Sequence, residues 1–307
     1  MKKTENSISL KKIGEMVDEL VDDRNADELR ELAEKILDSK LIVGSSDDFH
    51  NFAVGLARLD EYEMSCRILE RGLSTYKTSV DLLADYLIYG IDCDGNREKC
   101  EIYYGTLKNI PDKNWTWRGF AFSLDYLQSR FQLTEDKDQQ NWIMEEISSL
   151  IKIYYERYPN DERTYLSEAR LYSSTDSGKE LSVLEKALAN LKFCPRCAFR
   201  YAELLINQAK TIEDYKKAFN CLEYALTQKI ESDINLGDVY FLRGLCLIQL
   251  LNRNQDYKNN DKIMEIYNCF RVAEMSALDL SPYYCKKLKK QVQILEKLSK
   301  ISYDDDQ

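Results

Sequence analysis

The chain has a single histidine, His50, four prolines and eleven glycines in 307 residues, and it lacks any apolar run long enough to span a membrane. Each shortage excludes something. Histidine is the usual general base and metal ligand, so one imidazole in a helical context removes most hydrolytic and metal-assisted designs. No Gly-rich phosphate loop occurs, and no serine stands in a nucleophile-elbow context. The most apolar stretch, residues 245–251, is interrupted by Gln249 and is too short for a bilayer. Positive charge is also short: 43 Lys and Arg against 53 Asp and Glu leave a net charge of -10, which argues against a general nucleic-acid or anionic-membrane surface. The first residues, MKKTENSISLKK, have no apolar run after their lysines, so no signal peptide is expected. Nine cysteines, an odd number without a paired framework, point to a reducing, cytoplasmic setting.

The CPRC element at Cys194–Cys197 is the one motif with metal or redox spacing. Zinc would need two further ligands, and no second CxxC or CxxH exists. A thioredoxin-type centre would need a strand before it, whereas the context is helical. The element therefore reads as a proline-started helix with incidental thiols. Neither a cofactor nor a metal is expected.

Helical spacing is what the chain has in abundance. In residues 10–21, Leu10, Ile13, Val17 and Leu20 share one face; Asn25, with Glu28 three residues on, caps a second helix whose stripe is Leu29, Leu32, Ala33 and Ile36. Residues 49–73 read as two antiparallel helices joined by a turn at Leu59, Asp60 and Glu61. Phe49, Ala53 and Leu56 line the first helix, and Ser65, Leu69 and Gly72 line the second. The same pattern returns with Val80, Leu83, Ala84 and Leu87, then Cys100, Tyr104 and Leu107. It returns again with Trp117, Phe120, Ala121 and Leu124, followed by a turn stretched by QLTEDKDQ and a helix from about residue 141 to 158. Tyr165, Ala169 and Tyr172 open a fourth unit, Tyr201, Ala202 and Leu205 a fifth, and Tyr240, Gly244 and Leu247 a sixth, which carries a polar insertion, NRNQDYKNN. Glu168 and Arg243 occupy positions that are usually apolar. Pro111, Pro159, Pro195 and Pro282 each fall between one unit's second helix and the next unit's first, where a proline is tolerated.

An aromatic, a small residue and a leucine on the first helix, then small, large and small on the second, resembles the tetratricopeptide repeat (TPR). The resemblance implies an all-α, right-handed α-solenoid of about six TPR-like helix pairs. Residues 1–46 would form an N-terminal helical pair, 47–282 the array, and 283–307 a capping helix, with Leu288, Val292, Leu295 and Leu298 on one side, and an acidic tail. At 100° per residue, positions -6, -3, +1, +4 and +5 from each small first-helix residue turn away from the packing face. In TPR-like arrays that side lines a concave groove. The positions hold Trp115, Arg118, Phe122, Asp125 and Tyr126 in the third unit. They hold Arg163, Leu166 and Arg170 in the fourth, and Arg196, Phe199, Glu203 and Asn207 in the fifth. Asp81, Asp85 and Tyr89 flank them in the second.

Arginines and aromatics in an acidic chain suit a peptide that carries carboxylates and an apolar anchor. The plainer alternative is that the aromatics fill gaps between repeats. The expectation is a non-enzymatic scaffold or adaptor that holds a peptide or helix of a partner protein. The alternatives are a self-associating structural or regulatory subunit and, against the overall charge, a single-strand RNA binder. The chaperone-tail type of TPR is not matched, because His50 and Val54 stand where its first clamp residue would be.

Overall fold

The computed structural model describes residues 8–39, 42–91, 93, 96–173, 175–228, 236–254 and 260–275. Contacts gather the chain into two units, Met1–Pro159 and Asn160–Gln307, whereas the sequence pattern placed boundaries at residues 46 and 282. All-α pairing dominates; a two-residue parallel bridge, Ile8–Ser9 with Ile42–Val43, is the strand pairing among the described residues.

The first unit begins with α1 (Leu10–Asp22) and α2 (Ala26–Asp38). Asn25 caps α2 by accepting the Glu28 amide at 3.2 Å. Leu29, Ala33 and Ile36 are fully buried. Next come α3 (Ser46–Arg58), which Ser45 starts through a capping box, and α4 (Tyr62–Thr75). The turn between them folds back on α3: the Leu59 and Glu61 amides both donate to the Leu56 carbonyl at 3.0 Å, and Asp60 takes the left-handed conformation at φ 63. Small residues do what their spacing predicts. Ala53 and Ser65 are both fully buried, and the Ser65 hydroxyl donates to the Ala53 carbonyl at 2.8 Å, tying helix to helix. A Cβ on Gly72 would stand 2.9 Å from the Phe49 ring.

The pairing continues with α5 (Val80–Ile91) and α6 (Arg97–Lys108), then α7 (Trp117–Leu133) and α8 (Lys137–Arg157). The stretched turn expected before α8 is absent. Gln132 and Leu133 still belong to α7, and α8 starts at Lys137 because the Asp136 carboxylate accepts the Asp138 and Gln139 amides, each at 2.9 Å. That cap outweighs the polar composition of the segment. Phe120 stacks on Tyr154 with ring centroids 5.0 Å apart.

The second unit contains α9 (Glu162–Tyr172), α10 (Ser177–Asn190), α11 (Pro195–Gln208), α12 (Ile212–Thr227), α13 (Leu236–Asn254) and α14 (Asn260–Met275). The insertion expected from residue 252 is partly helical, since α13 runs on to Asn254 and α14 opens at Asn260. Arg243, at a usually apolar position, lies between α12 and α14. Its guanidinium meets Glu265 at 2.5 Å, pairs with Glu223, and sits 5.2 Å over the Phe219 ring. Two carboxylates thus compensate the charge that burial would otherwise penalise. The segment 277–282 and the capping helix expected over 283–299 lie outside the described residues. Pro111 and Pro159 fall between helices, and Pro195 opens α11.

Repetition is written into the hydrogen bonds. His50 pairs with Asp85, and Thr116 donates to Asp81 at 2.7 Å, both across 35 residues. The Arg196 amide donates to Glu162 at 2.9 Å across 34 residues, and the Cys197 amide at 3.3 Å across 35. Successive first helices are therefore linked at the length of one repeat. A second offset joins two of the first helices, α5 and α11, to the second helix before them: Tyr86 donates to Glu70 at 2.9 Å and Tyr201 to Glu185 at 2.6 Å, each across 16 residues. Ala53, Ala84, Ala121, Ala169 and Ala202 are all buried, from 0% to 7% exposed, so the small residues hold equivalent packed positions.

Candidate functional site on the first-helix faces

In the first unit, α3, α5 and α7 present a chain of polar groups that the repeat spacing brings together. His50 stands at -3 from Ala53, and Asp85 at +1 from Ala84. Stacking at one repeat's length lays the first over the second, and His50 Nδ1 pairs with Asp85 Oδ2. His50 is 8% exposed and Asp85 fully enclosed. Burial holds the Asp85 carboxyl above the usual carboxylate range; the hydrogen bond and charge of His50, and the charge of Arg118, act the other way. Its second oxygen, Oδ1, is buried without a hydrogen-bond partner among the described residues. An imidazole–carboxylate pair is a familiar proton-transfer unit. Here both groups are closed off from any substrate, so the pair joins two repeats.

The expected negative flank of the groove is accordingly spent inside. Asp85 is buried and Asp81 is bonded to Thr116. Tyr89 lies 6.2 Å from Tyr62, and burial raises its phenol.

On α7 the expected strip divides. Trp115 is buried, packs 5.1 Å from Phe120 and donates its indole N–H to the Ile110 carbonyl at 3.0 Å. Tyr126 is buried against Tyr104 at 5.1 Å. Both aromatics fill the scaffold, the plainer reading of the pattern. Arg118 and Phe122 are half-buried at the surface, with Trp117 between them. The Arg118 guanidinium lies 4.9 Å over the Trp117 indole, whose ring meets Phe122 edge-on at 6.1 Å. Arg118 forms no ion pair among the described residues, so its donors remain available. Trp117 escaped the groove geometry because it sits at -4, one step from a selected position.

In the second unit, Arg163 and Arg196 meet carboxylates close by in the chain or in the preceding repeat. Arg163 Nε lies 2.9 Å from Asp161, and Arg196 Nε lies 3.8 Å from Glu162. Glu162 also receives the Arg196 and Cys197 amides, which caps the start of α11 from the neighbouring repeat. Arg170 is exposed on α9 and Asn207 on α11, while Phe199 is half-buried against the core of α11 to α14. The CPRC thiols are enclosed. Burial pushes Cys194 up to about 11, and Cys197 is raised further by the same cause, which leaves both protonated and unreactive near neutral pH. No cluster of three metal-ligating side chains occurs among the described residues, and no described helix is long and apolar enough to cross a membrane.

No protein-family model matches the chain, and no curated protein matches its sequence. Solved structures similar to it include a thermophilic TPR protein of Thermus thermophilus, at 18% identity and a TM-score of 0.49, covering 66% of this chain and 100% of that one. The human IFIT1 dimer with PPP-AAAA has 15% identity and a TM-score of 0.46, covering 91% of this chain and 66% of that one. Yeast Tom70 has 13% identity and a TM-score of 0.45, covering 94% of this chain and 58% of that one. The chain's own hydrogen-bond offsets and buried small residues make it an array of TPR-like helix pairs.

Proposed function

We propose that this array is a non-enzymatic, cytoplasmic scaffold whose first-helix faces hold a peptide or helix of a partner protein. The observation that carries the reading is the Trp117–Arg118–Phe122 cluster on α7, in which a guanidinium without an ion-pair partner among the described residues lies over an indole beside a second aromatic ring. Arginine grips a carboxylate through two parallel hydrogen bonds, and the aromatic pair buries an apolar anchor at low entropy cost. The partner segment therefore combines acidic and apolar residues. In the second unit the expected strip comprises Arg170, exposed on α9, with Arg163, Arg196, Phe199 and Asn207. Helices packed this closely lose little freedom on binding, so a few anchors set affinity.

The test is affinity capture from the native cell followed by mass spectrometry, with the wild type beside an Arg118→Glu, Arg170→Glu double variant. Neither side chain belongs to the packed core, so circular dichroism should keep its helical signal while the partner is lost. A partner retained in full by the double variant would remove the first-helix faces from the function.

A further inference from the structure

A second surface lies on the opposite helices of the first unit. Helices α6 and α8 meet at Glu146, whose Oε1 accepts the Tyr104 hydroxyl at 2.9 Å and pairs with the Lys108 ammonium. Beside this contact they open a groove of about 500 Å³ that includes Lys108, Trp142, Glu145, Glu146 and Ile153. Its α8 wall follows from helical spacing: Trp142, Glu145, Glu146, Ser149 and Ile153 recur every three or four residues and share one face. Trp142 is 49% exposed, among the few large apolar side chains left at the surface.

What Lys108 does here indicates what the groove accepts. Its ammonium sits 5.2 Å from the Trp142 ring and 5.5 Å from the Tyr104 ring, with the Glu146 carboxylate as counter-ion. That is the arrangement by which aromatic rings and a carboxylate recognise a cation. Lys108 remains 43% exposed on a flexible stem, so it can swing away. Three carboxylates line the groove, Asp112, Glu145 and Glu146, against Lys108 as its cation. The second oxygen of Glu146 is buried without a hydrogen-bond partner among the described residues, an acceptor that an incoming N–H would satisfy.

We propose that this groove docks a basic segment of a partner protein, one whose lysine or arginine takes the place of Lys108 between Trp142 and Tyr104 while a neighbouring apolar side chain rests on the Ile153 wall. Lys108 is the internal stand-in for that cation. The site is distinct from the Trp117–Arg118–Phe122 cluster, although Trp115 and Phe120 reach its floor, and it selects the opposite charge.

The experiment uses the full chain and three sets of amidated dodecapeptides: leucine and phenylalanine with lysine and arginine, the same with glutamate, and the same uncharged. Binding is followed by calorimetry for every variant, with intrinsic tryptophan fluorescence beside it where Trp142 is present. The basic set should bind and the acidic set should not. Lys108→Ala, which vacates the cage, should tighten the basic set by about tenfold, and Trp142→Ala should weaken it by about tenfold. Arg118→Glu, on the other face, should leave it unchanged. Failure of the basic set to bind both the wild type and Lys108→Ala would overturn the proposal. Binding that is indifferent to Trp142→Ala, or equal for the acidic set, would overturn it as well. None of these outcomes depends on the first-helix reading.

Discussion

Asp85 carries a carboxylate in a place where water cannot reach it, and its cost is set by His50, Arg118 and Asp81 around it. Its folded-state pKa is raised, so the native state keeps a proton that the unfolded chain releases at lower pH. The contribution of that protonated group is complete below the ordinary carboxylate range and is lost as pH rises through the raised value. Asparagine has no such slope. The stability of Asp85→Asn relative to the wild type should therefore climb with pH over the window that opens at the ordinary carboxylate range, read as the difference in denaturation midpoint. A difference that stays flat or shrinks over that window would show that Asp85 is ionised throughout by its pairing with His50. The residue scale is also where sequence was least informative. Groove geometry selected Asp85 and Trp115 by angle alone, and both proved buried, because direction around a helix says nothing of what the next repeat lays on top. The His50–Asp85 pairing was legible in principle, since positions -3 and +1 of adjacent repeats meet at one repeat's offset.

At the scale of the element, a side-chain cap can fix a helix start where apolar spacing does not. Helix α8 shows this directly, beginning at the Asp136 cap in a segment that reads as polar loop. Thr211 offers a clean measurement: it starts α12 through a capping box with Asp214, at an exposed position that no core contact complicates. Thr211→Ala should destabilise the protein by about 1 kcal/mol, seen as a lower denaturant midpoint with an unchanged slope. A loss near zero would mean that α12 is held by packing on Ala202 and Leu222 alone. The helix pairs themselves were plain in the sequence, because small residues such as Ala53 and Gly72 mark where two backbones approach, and prolines mark where no helix continues. Local counter-ions were not. Asp161 and Glu162 sit in a turn and a first helical residue, where periodicity assigns no face, yet they take up Arg163 and Arg196.

At the scale of the whole molecule, one offset organises the chain: first helices bond to first helices about 35 residues on, in both units. Repetition of this kind makes stability a sum over neighbours; on α5 it uses up nearly the whole helix, with Asp85 inside, while on α7 it leaves Trp117, Arg118 and Phe122 half-buried at the surface. The faces proposed for binding are the Trp117, Arg118 and Phe122 cluster on α7 in the first unit and the α9 face that carries Arg170 in the second. Hydrogen–deuterium exchange of the full chain, free and with its captured partner, measures this most directly. The account predicts slowed exchange in α7 and α9 on binding; identical exchange of both helices in the two states would contradict it.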